Sequence, residues 1–419
     1  MTEAAPIASG SPFDVAIMGG GPGGSVCAAR LASRGRSVVL LERDCHPRFH
    51  LGESLLPLSL DVLDAIGVLG EVQGRFMVKR GARFVNGTDD TRAARYAFAE
   101  AFHARRDCAF QVPRAEFDEL LFRRAGECGA ELREGFLAEH VVHDGGRAAG
   151  VSARGPDGAS HNFAARFVVD ATGREALIGR ANASVERLPG LDRTAVFTQV
   201  RGAWRDVGER EGDIQIVIFG RTDDPSWLWL IPFADGRTSV GVVVSAAWIR
   251  AHRNIAGAPA LFDAALDEAP VASRMLASAE RIFAPRAVAD FSFRVTAMRG
   301  DGWLALGDAA GFIDPLFSTG AHLAMSGALR AADAIDAALG EGDLSSDRFA
   351  SWELEQRAGA ELFLGAVQAF YAGVLTPYLF ANPQHPFLRR AITSMLSGDV
   401  FDGQAVWARE MRARFPARV

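Results

Sequence analysis

Residues 13–42 read FDVAIMGGGPGGSVCAARLASRGRSVVLLE. The apolar run Phe13 to Met18 stops at Gly19 and reads as a buried strand. Gly19-Gly20-Gly21-Pro22-Gly23-Gly24 follows, then apolar residues at helical spacing from Ser25 to Ser33. A second strand, Ser37 to Leu41, ends at Glu42, so the stretch is a βαβ unit of about 30 residues. Gly19, Gly21 and Gly24 supply GxGxxG. The first permits the tight turn, the second lets backbone approach a pyrophosphate, and the third lets helix and strand pack closely. The helix N-terminus offers amides and a positive dipole end to phosphates, and Glu42 can accept hydrogen bonds from ribose hydroxyls. GxGxxG alone is a weak signal. Here strand, helix, second strand and acid all fall in place, which predicts a dinucleotide site without choosing between FAD and NAD.

Outward from this unit, Gln111 to Ala125 reads as an amphipathic helix with Phe117, Leu120, Leu121 and Ala125 on one side. Arg166 to Asp170 reads as a strand stopped by Ala171-Thr172-Gly173. Between about 190 and 295, alternating segments such as Asp213 to Phe219, Trp227 to Ile231 and Ser239 to Val244 predict an antiparallel sheet. Trp303 to Leu306 returns to a buried strand, Gly320 to Leu339 to a long helix, and the remainder is mostly helical. The expected fold class is α/β: a Rossmann-like dinucleotide-binding domain, an inserted antiparallel β-sheet substrate domain and a helical C-terminal tail. The dinucleotide domain is expected to be discontinuous, over residues 1–80, 110–188 and 292–340. The sheet domain takes 81–109 and 189–291, and the tail 341–419.

At 419 residues, with 49% hydrophobic and 23% charged, the chain has an ordinary globular composition, which excludes disorder, collagen and coiled coil as whole-chain descriptions. A net charge of −6 advertises no face for nucleic acid. Cys27, Cys45, Cys108 and Cys128 form no CxxC pair, so no metal site or disulfide framework is expected, and a reducing cytoplasm fits. Met1 to Pro12 lacks the pattern of a signal peptide. Leu362 to Leu388 contains no Asp, Glu, Lys or Arg, long enough to span a bilayer. Interrupted by Gln368, Gly373, Pro377, Pro383, Gln384 and Pro386, it reads as a buried helix and loop rather than as a membrane span. Of the 45 Lys+Arg residues only Lys79 is a lysine, which raises the question of whether arginine could do its job.

Three further segments carry a family resemblance. Gly307-Asp308-Ala309-Ala310, after a buried strand, resembles the second FAD motif of the para-hydroxybenzoate hydroxylase-like flavoproteins. Asp170-Ala171-Thr172-Gly173 resembles their mid-chain motif, and Gln111 and Arg114 match their cofactor-touching helix. Within that superfamily the chain resembles the flavin-dependent halogenases, most closely the phenol- and pyrrole-type members. Trp227-Leu228-Trp229-Leu230-Ile231-Pro232 matches their WxWxIP signature. Gly52-Glu53-Ser54-Leu55-Leu56-Pro57 matches the segment after their first βαβ unit, and Asp314-Pro315-Leu316-Phe317-Ser318-Thr319-Gly320 resembles their flavin-proximal loop. Lys79 sits where the family carries its essential lysine.

The resemblance implies FAD, used as FADH2, and a separate flavin reductase that delivers it. Gly19, Gly21, Gly24, Glu42, Arg43, Gln111, Arg114, Asp170, Asp308 and Gly320 are the implied cofactor-binding residues. Oxygen, reduced flavin and chloride or bromide would yield hypohalous acid, with the halide at the backbone amides of Thr319 and Gly320. Trp227, Trp229, Pro315 and Phe317 would lie near the flavin. The oxidant would cross an internal tunnel to Lys79, with Glu53 and Ser54 as further catalytic residues; helix capping is an equal reading for these two. An amine whose pKa falls on burial suits Lys79's role, whereas an arginine stays protonated. The substrate would be an electron-rich aromatic of natural-product biosynthesis, a phenol or pyrrole, free or tethered to a carrier protein. An aromatic hydroxylase of the same superfamily is the alternative, although the loop from Gly307 to Gly320 departs from the hydroxylase pattern.

Overall fold

The computed structural model describes residues 11–418. Most of the N-terminal stretch read above for a leader, and the outermost residues of the first and last expected segments, lie outside the described residues. The opening βαβ unit forms as Phe13–Met18, helix Pro22–Ser33 and Val38–Glu42. These strands are the centre of an eight-stranded sheet. Phe13–Met18 pairs in parallel with Val38–Glu42 and with Ser160–Asp170, which pairs in parallel with Trp303–Ala305. Glu131–Glu134 extends the other side. Because side chains alternate across a strand, the central strands feed two cores. Val15, Ile17 and Leu40 face helices Pro22–Ser33, Arg114–Glu127 and Thr319–Glu341. Ala16, Met18, Val39 and Leu41 face the antiparallel strands Leu137–Asp144 and Arg147–Arg154.

The second large sheet runs in the order Glu280–Arg281, Arg193–Arg201, Arg237–Ser245, Asp224–Pro232, Ile214–Arg221, Gly81–Asn86, Ala93–Ala97. Its pairings are antiparallel except one. Ile214–Arg221 lies parallel to Gly81–Asn86, so the expected antiparallel sheet is mixed. One face, with Val217, Leu228, Leu230 and Val242, is covered by helices Ala258–Asp267 and Pro270–Met275. The other, with Ile216, Trp227, Trp229 and Ile231, joins the main core. Gly241, opposite Trp229, leaves room for the indole; a Cβ there would lie 2.1 Å from its ring.

One boundary differs in a way that matters. Gln111 belongs to a short strand, Ala109–Gln111, and the helix begins at Arg114 with Pro113 as its N-cap. The residue before a proline is kept out of the α region, so Val112 cannot continue a helix back to Gln111. The uncharged stretch 362–388 is the buried C-terminal half of helix Ala350–Tyr371, a turn of helix at Thr376–Leu379 and the start of helix Pro386–Leu396. Among the described residues no helix is long and apolar enough to cross a membrane.

Candidate active site

The Gly19 turn opens onto a cavity of about 1110 Å³ between the two sheets. Gly19, Gly21, Glu42, Arg43, Glu53, Ser54, Arg114, Trp227, Trp229, Asp308, Pro315, Thr319 and Gly320 all line it. The wall suits a dinucleotide. Gly19 is at φ +103°, and a Cβ there would lie 2.2 Å from the Ala171 carbonyl oxygen. A Cβ on Gly21 would meet only Arg48, at 3.8 Å, so this glycine keeps the wall open. Helix Pro22–Ser33 has no side-chain N-cap, leaving its positive end to the cavity. Asp308, at the cavity wall, has its carboxyl pushed up to about 6 by burial and makes no side-chain hydrogen bond to a described residue.

Four of the residues expected at the cofactor do not line this cavity. Gly24 does structural service, since a Cβ there would lie 1.9 Å from the Gly19 carbonyl oxygen. Asp170 is spent on its own turn, accepting from the Thr172 amide and hydroxyl and from the Ile178 amide. Gln111, on its strand, donates to the Gly212 carbonyl at 2.9 Å. Phe317 lines a second, small cavity instead.

That second cavity, of about 10 Å³, holds Lys79 with Leu56, Phe98, Ile214, Phe317, Ser318 and Leu396. A three-stranded ribbon brings the lysine there. Ala109–Gln111 pairs antiparallel with Met77–Lys79 on one side and bridges to Ser54 on the other. The Leu55 amide donates to the Phe110 carbonyl and the Val112 amide to the Glu53 carbonyl. Lys79 Nζ then lies 2.9 Å from Ser54 Oγ and 3.1 Å from the Leu55 carbonyl oxygen, and 5.2 Å from the centre of the Phe98 ring. The side chain is 2% exposed and has no ion pair among the described residues. Burial pulls its amine down to about 7, against the weaker pull of Asp213. Ser54 lines the large cavity and touches Lys79, and Ile214 and Ser318 line both cavities.

The loop between them is built for display. Asp314 caps a short turn, Pro315–Phe317, by accepting from the Leu316 amide at 2.9 Å. Ser318 follows at φ 56°, ψ 35°, a left-handed conformation unusual outside glycine, and starts helix Thr319–Glu341 without a side-chain cap. The first amides of a helix have no partner within it, so those of Thr319 and Gly320 carry its positive end toward the large cavity. His322, lower on the helix, is buried between Ser59 and the Gly398 carbonyl.

One buried network adjoins the tryptophan strand and a second lies by Glu42. Glu53 accepts from Gln199 Nε2 at 3.0 Å, Arg237 holds Gln199, and Trp229 Nε1 donates to Ser239 Oγ at 3.1 Å. Burial pushes the Glu53 carboxyl up to about 7, although Ser239 and Gln199 hydrogen bonds oppose it. Near Glu42, Arg48 bridges Glu42 and Asp118, and Arg114 pairs with Asp118 at 2.7 Å. Sequence reasoning missed Arg48, Asp118, Gln199 and Ser239. Only the i, i+4 spacing of Arg114 and Asp118 on one helix was there to be read.

A Rossmann turn, a large cavity and a buried lone lysine beside it define a dinucleotide-dependent enzyme, and known proteins specify which. The family model described as tryptophan halogenase matches residues 90–373, and a Rossmann-like model described as NAD(P)-binding matches residues 17–101. A 1H-pyrrole-2-carbonyl-(peptidyl-carrier protein) brominase of Pseudoalteromonas luteoviolacea is 29% identical, over 93% of this chain and 93% of its own. The corresponding chlorinase of Pseudomonas fluorescens is 30% identical, over 94% of this chain and 90% of its own. The solved structure of the myxobacterial chondrochloren halogenase, described as an FAD-dependent variant, superposes with a TM-score of 0.80 at 30% identity, covering 97% of each chain. The chain therefore belongs to the tryptophan halogenase family: it is a flavin-dependent halogenase, an oxidoreductase with FAD as cofactor. The match to an NAD(P)-binding model reflects the adenosine diphosphate half that both dinucleotides present to a GxGxxG turn.

Proposed function

We propose that the protein halogenates an electron-rich phenol or pyrrole ring, free or tethered to a carrier protein, through Lys79. The observation that carries this reading is the buried Lys79 amine, hydrogen-bonded to a serine of the cofactor cavity wall. Two of the relatives named above act on a pyrrole held by a carrier protein, which supports the choice of ring. When bound in reduced form, delivered by a separate flavin reductase, FAD supplies the electrons with which oxygen converts chloride or bromide to hypohalous acid.

The chain's own residues do the rest. Gly19, Gly21, Glu42, Arg43, Arg114 and Asp308 hold the cofactor. The Thr319 and Gly320 amides bind the halide at a helix end that favours anions. Trp227, Trp229 and Pro315 close the wall beside the flavin and exclude water. Oxidant leaves past Ser318 and Ile214, the residues common to both cavities, and meets Ser54 and Lys79. The ammonium form of Lys79 donates a hydrogen bond to hypohalous acid. The neutral amine, accessible near pH 7, takes the halogen with release of water and passes it to the ring carbon, and the proton the ring loses restores the amine. Arginine cannot follow the second course, because it keeps its proton.

The test mixes protein, FAD, a flavin reductase, NADH and oxygen with chloride or bromide and a panel of phenols and pyrroles, some as carrier-protein thioesters. Products carrying the halogen isotope pattern support the reading. A halide-independent gain of one oxygen overturns it in favour of hydroxylation.

A further inference from the structure

The uncharged segment of the tail ends helix Ala350–Tyr371 with a buried tyrosine, and this tyrosine touches the wall of the active site from behind, at Trp227. Trp227 Nε1 donates to the Tyr371 hydroxyl at 2.9 Å, and the hydroxyl donates to Asp314 Oδ2 at 2.9 Å. The other Asp314 oxygen caps the turn that precedes Thr319 and Gly320. The Arg193 guanidinium lies 3.7 Å from the centre of the Tyr371 ring and is itself fixed to Asp224 at 2.7 Å, where Ser245 donates to the second Asp224 oxygen at 2.6 Å. One side chain thus touches the signature tryptophan, the displayed loop and the first residue of strand Arg193–Arg201 in the second sheet.

We propose that Tyr371 is a positioning residue for halogenation: its hydroxyl locks the Trp227 indole to the Asp314 turn and so sets the distance between the tryptophan wall and the amides that hold the halide. The inference rests on the reading that Thr319 and Gly320 bind the halide. The chain of donors has one direction, indole N–H to phenol oxygen to carboxylate. Burial and the neighbouring Asp314 carboxylate hold the Tyr371 hydroxyl well above its ordinary pKa, so it keeps its proton and donates to Asp314 when that carboxyl is ionised. Removing this hydroxyl leaves an indole N–H and a carboxylate oxygen buried without partners, and such groups are costly to leave unmade. The turn relaxes to repair them. The helix start that follows it moves too, because Ser318 is a single strained joint.

The test is Tyr371→Phe, which keeps the ring under Arg193 and deletes one oxygen. The expected result is a halide KM raised roughly five- to tenfold, as the loss of about one hydrogen bond would give. Less halogenated product should form per flavin oxidised, while FAD affinity stays within about twofold, because no cofactor contact is changed. A general structural role would instead lower Tm and kcat with halide KM and the product-to-flavin ratio unchanged, and that result overturns the inference. If the variant fails to accumulate folded, Asp314→Asn tests the same link from its other end and should raise halide KM in the same way. A protein with saturable halide dependence whose two variants match it refutes the role of Tyr371 alone. A protein with no halide dependence at all refutes the halide reading, and this inference falls with it.

Discussion

Lys79 is a charge carrier placed where charge is penalised. Its amine is drawn from an ordinary 10.5 to about 7 in the folded state. Between those values the unfolded chain binds a proton that the folded chain does not. Stability therefore rises with pH across this window, and the cost of the lysine is greatest at and below pH 7. Lys79→Met does not titrate. Relative to that variant, the protein should gain stability as pH rises from about 7 to 10.5, with a slope approaching 1.4 kcal/mol per pH unit, an order-of-magnitude ceiling. Urea unfolding of both proteins at several pH values checks this, and a difference that does not vary with pH contradicts a buried neutral amine. The residue was legible in the sequence as the only lysine in a matching motif. Its partner contact was less so, since Ser54 reaches it through a ribbon whose middle strand, Ala109–Gln111, has the look of a helix start until Pro113 is weighed.

At the scale of elements, the βαβ turn separates two kinds of glycine. Gly21 is in an extended conformation, φ −72°, with space before it, so Gly21→Val should keep the fold and put a side chain where we propose the pyrophosphate runs. FAD affinity should drop by at least tenfold while stability falls only modestly, by about 1 kcal/mol for a poorer helix cap. Gly24→Ala drives a Cβ against the Gly19 carbonyl, so it should lose folded protein before it loses affinity. Thermal melts and flavin titrations of the two variants check the contrast; equal Tm losses contradict it. The strand–turn–helix pattern made this element readable, because each part is local in sequence. The links among Trp227, Tyr371, Asp314 and Arg193 were not, because each residue sits on a different element and none has a spacing that declares the others.

For the whole molecule, the two sheets meet around one large cavity, so the cofactor should act as a structural member. A ligand that binds only the folded state stabilises it by about 2.7 kcal/mol at a hundredfold excess over Kd. FAD should therefore raise Tm of the protein clearly and that of Gly21→Val little at the same concentration. The buried Glu53 and Asp314 carboxyls, both drawn up to about 7, favour the protonated folded form. Their contribution is full below about pH 4 and is lost as pH rises through 7, so, relative to a variant with Glu53→Gln and Asp314→Asn, the cofactor-free protein should lose stability in urea unfolding from about pH 4 to 7. The general architecture could be read from alternation and motifs. The mixed sheet could not, since the parallel pairing of Ile214–Arg221 with Gly81–Asn86 joins segments far apart in the chain.

The most direct test of the central claim compares the protein with Lys79→Ala and Lys79→Arg in the reconstituted reaction, with FAD binding and flavin oxidation measured alongside product. The account predicts unchanged FAD binding, continued flavin oxidation and no halogenated product from either variant. Halogenated product from Lys79→Ala at the rate of the unaltered protein would contradict it.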